Sequence, residues 1–335
     1  MKHRPLKSRY YRFNRLGGPD VLELAEETIG DPGPDEIRLR QKAVGLNFTD
    51  VNLRRGDHPE LPVFPHRIGQ EASGVVDAVG ADVTEFSPGD RVAYAVRPPA
   101  AYCEARLIQA SKVVPIPDWV SFEAAAAGLL KGITAEFLTC RVHDVRPGDN
   151  VVFYAAAGGV GQIACRWLMA RGANLIPVVG SRHKVAAVRA VSGCERVLVM
   201  GEDDIPACVR EITEGAMADV VYDSLGAVSF ETSLACLRRR GLFVAFGAAS
   251  GQIPPTEPVR LAVQGSIFMT WARIGDYTAT RDELRNSAER VFAAYRDRTI
   301  LLDPTHRFSF EDAAQAHASL EGSQLTGASI LILGS

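Results

Sequence analysis

The sequence of 335 residues has no apolar run of the length a membrane-spanning helix needs, and its net charge is −3, so no global basic field asks for nucleic acid. Its basic opening, MKHRPLKSRYYRFNR, lacks the apolar core of a signal peptide and reads as a solvated lead-in to a first strand. Cysteine is sparse: Cys103, Cys140, Cys165, Cys194, Cys208 and Cys236 are scattered, and none forms a C-x-x-C pair. Several lie in apolar stretches, where a free thiol behaves as a small hydrophobe. This usage speaks against a disulfide framework and fits a reducing, cytoplasmic setting. Internal repeats and low-complexity segments are also lacking.

What is present is the composition of a soluble globular protein, with 47% hydrophobic and 23% charged residues. The length exceeds one ordinary core and predicts two domains. To about Asp118, proline and glycine punctuate short strand-like runs such as DEIRLRQKAVG, EASGVVDAVG and FSPGDRVAYAV, which predicts a small β-rich domain. SFEAAAAGLLKGITAEFLTCR then reads as helix. From Asn150 strand and helix alternate through VVFYAAA, GQIACRWLMARG, LIPVVG, KVAAVRAV, RVLVM, DDIPACVREITEG, ADVVYDSLG, SFETSLACLRRR and GLFVAFG. That is the βαβ alternation of a doubly wound parallel sheet. A charged helix, TRDELRNSAERVFAAYRDR, the segment FSFEDAAQAHASLEG and the strand ASILIL follow, and pattern alone leaves open which domain they join.

The stretch VVFYAAAGGVGQIAC reads as strand, glycine-rich turn and helix start, with the spacing Ala155-x-x-Gly158-x-x-Gly161. Small residues let the backbone turn tightly against a pyrophosphate, and the helix N-terminus directs free N–H groups at the anion. Ala157, Gly158, Gly159, Val160 and Gly161 are therefore candidates for holding a dinucleotide. The next strand should end about twenty residues later beside the adenosine ribose, where NAD-selective sites carry an Asp or Glu. That carboxylate is missing here: VVGSRHK offers Gly180, Ser181, Arg182 and Lys184 instead. Room, a hydroxyl and two permanent cations suit a 2′-phosphate, so the expected cofactor is NADPH. Pro177 sits within the strand that feeds this turn and predicts a bulge or an early end to the pairing.

In order along the chain, GGPDVLEL, VGLNFTDVNLRRG, EASGVVDAVG, FSPGDRVAY, LLKGIT, AAAGGVGQIACRW, VVYDSLG, CLRRRGLFVAFG and EDAAQAHASLEG resemble the zinc-free, zeta-crystallin-like quinone oxidoreductases of the medium-chain dehydrogenase/reductase superfamily, from about Arg12 onward. The resemblance implies an α/β protein with a GroES-like β-rich catalytic domain and a Rossmann domain. The implied limits are 1–129 for the first part of the catalytic domain, 130–272 for the NADPH-binding domain and 273–335 for a C-terminal return to the catalytic domain. It also implies a homodimer pairing through the last Rossmann strand, GSIFMTW.

Zinc-dependent relatives carry a cysteine in the GLNFTD loop and a histidine before the glutamate of GQEASG, whereas this chain has Asn47 and Gln70. Neither amide readily ligates zinc, and no metal is expected. Hydride transfer from nicotinamide to an electrophilic quinone needs no protein nucleophile, so no essential acid or base is assigned. The resemblance places Asn47 beside the nicotinamide, with Thr134, Phe246 and Gly247 near the cofactor. Asp50 is a turn cap or a site residue, and Lys131 is structural or phosphate-facing; the sequence leaves both open. Asn52 and His58 stand where members have tyrosines and are candidate pocket residues. Met200 replaces a tyrosine near the adenosine phosphate, Ser323 a cofactor-reaching arginine, and Ala248 and Ala249 polar residues. The expected function is zinc-independent reduction of a quinone by NADPH. The alternatives are reduction of an enone or alkenal double bond, or a cofactor-binding protein of structural or RNA-binding role with little turnover. The charge of −3 argues against RNA.

Overall fold

The computed structural model describes residues 4–95 and 98–334. Residues 1–3 of the basic lead-in, Val96 at the end of FSPGDRVAYAV, and Ser335 lie outside them. The chain divides into two compact units: one holds the residues up to Lys131, Thr278–Tyr295 and those from Leu301 on, and the other holds Gly132–Tyr277 and Arg296–Ile300.

The first unit opens with β1 (Leu6–Phe13), β2 (Glu23–Ile29) and β3 (Glu36–Gly45), then α1 (Phe48–Arg55), β4 (His66–Arg67), β5 (Glu71–Val79), β6 (Arg91–Ala95), β7 (Ala105–Gln109) and β8 (Val114–Pro115). Strand β3 is the hub, pairing antiparallel with both β5 and β7. A Cβ on Gly74 would sit 2.1 Å from the Arg40 carbonyl oxygen, so β5 reaches β3 only through a glycine there, next to a register shift at Gln41/Ala43. Phe13, Ile37, Leu39, Val44, Ile68, Val76 and Val92 fill the core. Helix α2 (Phe122–Phe137) starts behind Ser121, whose Oγ accepts from the Ala124 N–H at 3.0 Å.

The second unit contains β9 (Asn150–Phe153), α3 (Gly159–Ala170), β10 (Asn174–Val179), α4 (Val185–Ser192), β11 (Leu198–Val199), α5 (Ile205–Ile212), β12 (Ala218–Asp223), α6 (Phe230–Ala235), β13 (Leu237–Ala245), α7 (Pro258–Val263), β14 (Phe268–Trp271) and α8 (Ile274–Tyr277). Its strands pair in parallel in the order β11-β10-β9-β12-β13-β14. This is the doubly wound dinucleotide-binding topology, whose strand order reverses next to β9. Because strands of such a sheet are covered on both faces they read as continuous apolar runs, and Val151, Val152 and Phe153 are wholly buried.

The structure departs from two expectations. Pro177 causes no bulge, for β10 keeps register with β9 from Asn174↔Asn150 to Pro177↔Phe153; the ladder does end at Pro177, but there β9 itself ends. The Val178 carbonyl accepts from Ala156 beside β9 and the Val179 carbonyl from Met200 beside β11, which puts the proline nitrogen on the β11 side. Pairing with β11 begins only at Val178, so no ladder bond is lost. The LRRR of SFETSLACLRRR is strand rather than separator: Leu237 pairs with Ala218, and Arg238 Nε bonds Asp219 Oδ1 at 2.6 Å.

After α9 (Arg281–Arg296) come β15 (His306–Ser309), α10 (Ala313–Glu321) and β16 (Ser329–Ile332). Strand β16 pairs antiparallel with β3, Ile330 opposite Gly45, and parallel with β15, which completes the sheet of the first unit.

Candidate active site

In the first unit the GLNFTD loop ends β3 and starts α1. Asn47 is the N-cap, and the Asp50 carboxylate accepts from the Asn47 N–H at 3.2 Å, a capping box that fixes the helix start. The Asn47 side chain donates through Nδ2 to Glu71 Oε1 at 2.9 Å. Glu71 is fully buried at the head of β5; its Oε1 also pairs with Lys131 Nζ, and its Oε2 accepts from the Leu130 N–H at 2.9 Å. Asn47, Glu71 and Lys131 thus meet at one buried point, with Lys131 only 5% exposed. Glu71 was not singled out by sequence, although a glutamate heading an apolar strand signals a buried charge that needs partners.

Helix α1 is anchored from behind. Arg54 is fully buried; it pairs with Glu321, reaches the Gly17 carbonyl and donates from Nε to His317 Nδ1 at 3.4 Å. His317 Nε2 faces the Tyr102 hydroxyl at 3.0 Å. Burial and the neighbouring Arg54 charge lower the His317 pKa to about 3, so the ring is neutral and bridges Arg54 and Tyr102.

Asp50 is both cap and buried acid. Its Oδ1 makes no hydrogen bond of normal geometry among the described residues, and burial followed by the charge of Glu71 raises its pKa to about 8. The unfolded chain releases this proton near its ordinary value of 3.8, whereas the folded chain holds it to about 8. Its contribution to stability is therefore complete below the lower value and is lost as pH rises through the higher one, with a slope of at most about 1.4 kcal/mol per pH unit. Asp50→Asn keeps an acceptor for the Asn47 N–H and removes the ionisation. Urea midpoints between about pH 5 and about pH 9 should show the wild type losing stability relative to the variant; parallel curves would refute a protonated Asp50.

In the second unit Ala155, at φ 54°, takes the left-handed corner between β9 and α3. Its carbonyl accepts from Gly158, the N-cap of α3, at 2.9 Å. The first-turn N–H groups of Gly159, Val160 and Gly161 have no carbonyl behind them in the helix and are available to an anion. A Cβ on Gly161 would lie 2.3 Å from the Ala155 carbonyl oxygen, so only glycine lets α3 start this close to the turn. Ala157, the last residue of the turn, is buried.

At the end of β10, Gly180 opens to free space, and Ser181 precedes a short turn over Arg182–Lys184. Arg182 is largely exposed and committed to Glu202, its Nε 2.7 Å from Oε2. Lys184 is half-buried, its pKa lowered by that burial, and it has no ion pair among the described residues. A glycine cradle, an open strand end and an unpaired cation together fit the pyrophosphate and 2′-phosphate of NADPH.

The remaining candidates lie on several elements. Thr134 is buried on α2. Phe246 donates its N–H to the Asp223 carbonyl at 2.9 Å, and a Cβ on Gly247 would lie 2.8 Å from the Ser224 carbonyl oxygen, which pins both to the end of β12. The Asn52 carbonyl accepts from Gly56, Asp57 and His58 at the end of α1, and His58 Nδ1 accepts from the Glu60 N–H at 3.0 Å. Met200 packs against the core of the parallel sheet, and Ser323 sits at φ 55° after α10.

Zinc does not fit the first-unit cluster. The Asn47 amide is bound to Glu71, Gln70 Nε2 lies 3.3 Å from Thr49 Oγ1, and Glu71 already holds the Lys131 ammonium.

Residues 33–149 match the alcohol dehydrogenase GroES-like domain, and residues 159–289 the zinc-binding dehydrogenase family. The chain is 39% identical over 321 residues to a quinone oxidoreductase of Pseudomonas aeruginosa, covering 96% of this chain and 98% of that one. It is 38% identical to a 2-haloacrylate reductase of a Burkholderia species, covering 96% and 97%. Among solved structures, that of the Escherichia coli quinone oxidoreductase complexed with NADPH superimposes with a TM-score of 0.93 at 38% identity, covering 97% of this chain and 99% of that one.

Proposed function

Because the chain belongs to the quinone oxidoreductase family of medium-chain dehydrogenases/reductases, we propose that it transfers a hydride from NADPH to a quinone. The observation that carries the cofactor assignment is the end of β10, where residues 178–184 include no Asp or Glu and a half-buried Lys184 has no ion pair among the described residues. The quinone follows from the family and suits a site whose polar groups orient rather than attack.

Residues 130–272 form the cofactor domain in this reading, and 1–129 with 273–335 the catalytic domain; the confinement of the parallel sheet to Asn150–Trp271 and the pairing of β16 with β3 support that division. NADPH, when bound, supplies the hydride. The first turn of α3, through Gly159, Val160 and Gly161, holds the pyrophosphate, with Ala157 and Gly158 shaping the turn. Gly180 and Ser181 admit the ribose, and Lys184, with Arg182 if it exchanges Glu202, neutralises the 2′-phosphate. Thr134, Phe246 and Gly247 border the cofactor, and Asn52 and His58 border the acceptor. Asn47 positions the acceptor by a hydrogen bond, and water supplies the proton to the reduced ring.

The protein acts as a cytoplasmic homodimer in the same reading. Strand β14 is the edge of the parallel sheet, with Phe268 63% exposed and Val259 and Val263 of α7 exposed nearby in sequence, an edge that a second copy would cover. None of the six cysteines forms a disulfide, which suits a reducing compartment.

A second reading, reduction of an activated carbon–carbon double bond, draws support from the 38% identity to a 2-haloacrylate reductase. Steady-state NADPH oxidation separates the two. With 1,4-benzoquinone, 9,10-phenanthrenequinone and a naphthoquinone, kcat/KM should exceed that with 2-haloacrylates and simple enones by at least about tenfold, a difference of about 1.4 kcal/mol in transition-state stabilisation. Turnover of the alkenes alone would replace the first reading by the second.

A further inference from the structure

The cluster at Glu71 holds more charge than a capped helix needs. Its carboxylate is fully buried and receives three donors, the Lys131 ammonium, the Asn47 amide and the Leu130 N–H. A buried ion pair is roughly neutral for stability against an apolar pair of the same shape, so stability alone does not explain why one is kept here. Its geometric consequence is specific. A side-chain amide is a rotor with a donor at one end and an acceptor at the other. The Glu71 oxygen that holds the Lys131 ammonium acts as an acceptor there, so it fixes the Asn47 nitrogen on its own side and turns the amide oxygen away. Nδ2 then has one further N–H, and no acceptor for it exists among the described residues.

We propose that Glu71 and Lys131 are positioning residues for the reaction: together they lock the Asn47 amide with its remaining N–H presented to the acceptor oxygen, and Lys131 is the resident cation among the positions, Asn47 and Gln70, at which zinc-dependent relatives carry metal ligands. The inference rests on the hydride-transfer reading of the site. In that reaction a hydride leaves the nicotinamide ring, which is oxidised, and adds with its electron pair to the quinone. The quinone becomes a hydroquinone monoanion and takes its second proton from water. Negative charge builds on the quinone oxygen as the hydride arrives. The Asn47 N–H is a fixed donor for it, and Lys131 cancels a Glu71 charge that would otherwise oppose it.

The test uses the full-length protein as Glu71→Gln and as the double variant Lys131→Met with Glu71→Gln. The double variant removes both charges at nearly constant shape and should fold. In both, the introduced amide is itself a rotor and no longer dictates the Asn47 orientation. With a saturating quinone, kcat should fall by about tenfold to a hundredfold, the range expected when a reacting partner is misplaced. The NADPH dissociation constant, read by nicotinamide fluorescence, should stay within about twofold, since no group on the phosphates has changed. Independently of any acceptor, the Asn47 side-chain amide in a ¹H–¹⁵N spectrum, identified by its loss in Asn47→Asp, should show one proton displaced downfield by the carboxylate, and this displacement should vanish in both variants. An undisplaced amide in the wild type, or an unchanged kcat in a folded double variant, overturns the positioning role. A displaced amide that vanishes as expected, in an enzyme that never reduces quinones, sustains the locked amide and rejects the reaction assigned to it.

Discussion

Gly161→Ala should lose NADPH binding by about a hundredfold and stability by about 1–3 kcal/mol, although alanine is the better helix former. The sign is decided by contact rather than propensity. The added Cβ would sit 2.3 Å from the Ala155 carbonyl oxygen and 2.7 Å from backbone atoms of Ala156, none of which is the movable end of a side chain. Helix α3 must draw back from the turn, and its first-turn N–H groups withdraw with it. Two charge-assisted hydrogen bonds weakened at about 1.5 kcal/mol each give the hundredfold figure. Gly180→Ala is the internal comparison, because nothing lies within 4 Å of its Cβ position. That variant should melt like the wild type. Thermal melts of both proteins with NADPH titrations by fluorescence make the check, and a Gly161→Ala protein that binds normally would remove the glycine turn from the cofactor site.

Lys184→Ala should weaken NADPH by about tenfold and leave NADH within about twofold, because a charge-assisted bond to phosphate contributes at least about 1.5 kcal/mol and the two cofactors differ only by that phosphate. Arg182→Ala should do less. Arg182 already spends its guanidinium on Glu202 at the surface, and exchanging one exposed partner for another changes little. Burial lowers the Lys184 pKa, so its ammonium is incompletely solvated and a phosphate replaces water it has already partly lost. Equal losses of NADPH and NADH in Lys184→Ala would show that Lys184 acts on something other than the 2′-phosphate.

The parallel sheet was legible because its signals are local: a strand, three small residues at fixed spacing and a helix, repeated as apolar runs that reflect burial on both faces. The absence of a carboxylate at the end of β10 was equally local. Pro177 misled because a proline is costly only where a neighbour needs its N–H, and the two-residue β11 begins one position too late to need it. The start of β13 misled because LRRR looks solvated, yet Leu237 pairs with Ala218 and the following arginine is tied to Asp219. The rest depends on contacts that pattern does not encode. Arg54 and His317 are 263 positions apart, and His317 lies 215 positions from Tyr102. Lys131 reaches Glu71 across 60 positions, so its role could not be chosen until strand and helix were brought together. Asp50 was legible as a cap from its place three residues after Asn47, but its raised pKa comes from burial first and the charge of Glu71 second, both of which only the folded chain creates.

The most direct measurement is the kcat/KM of the purified wild-type protein with 1,4-benzoquinone as acceptor, taken once with NADPH and once with NADH. An NADPH-dependent quinone reductase built as described should favour NADPH by more than about tenfold, the worth of one charge-assisted phosphate contact. No quinone-dependent oxidation, or equal efficiency with both cofactors, would contradict it.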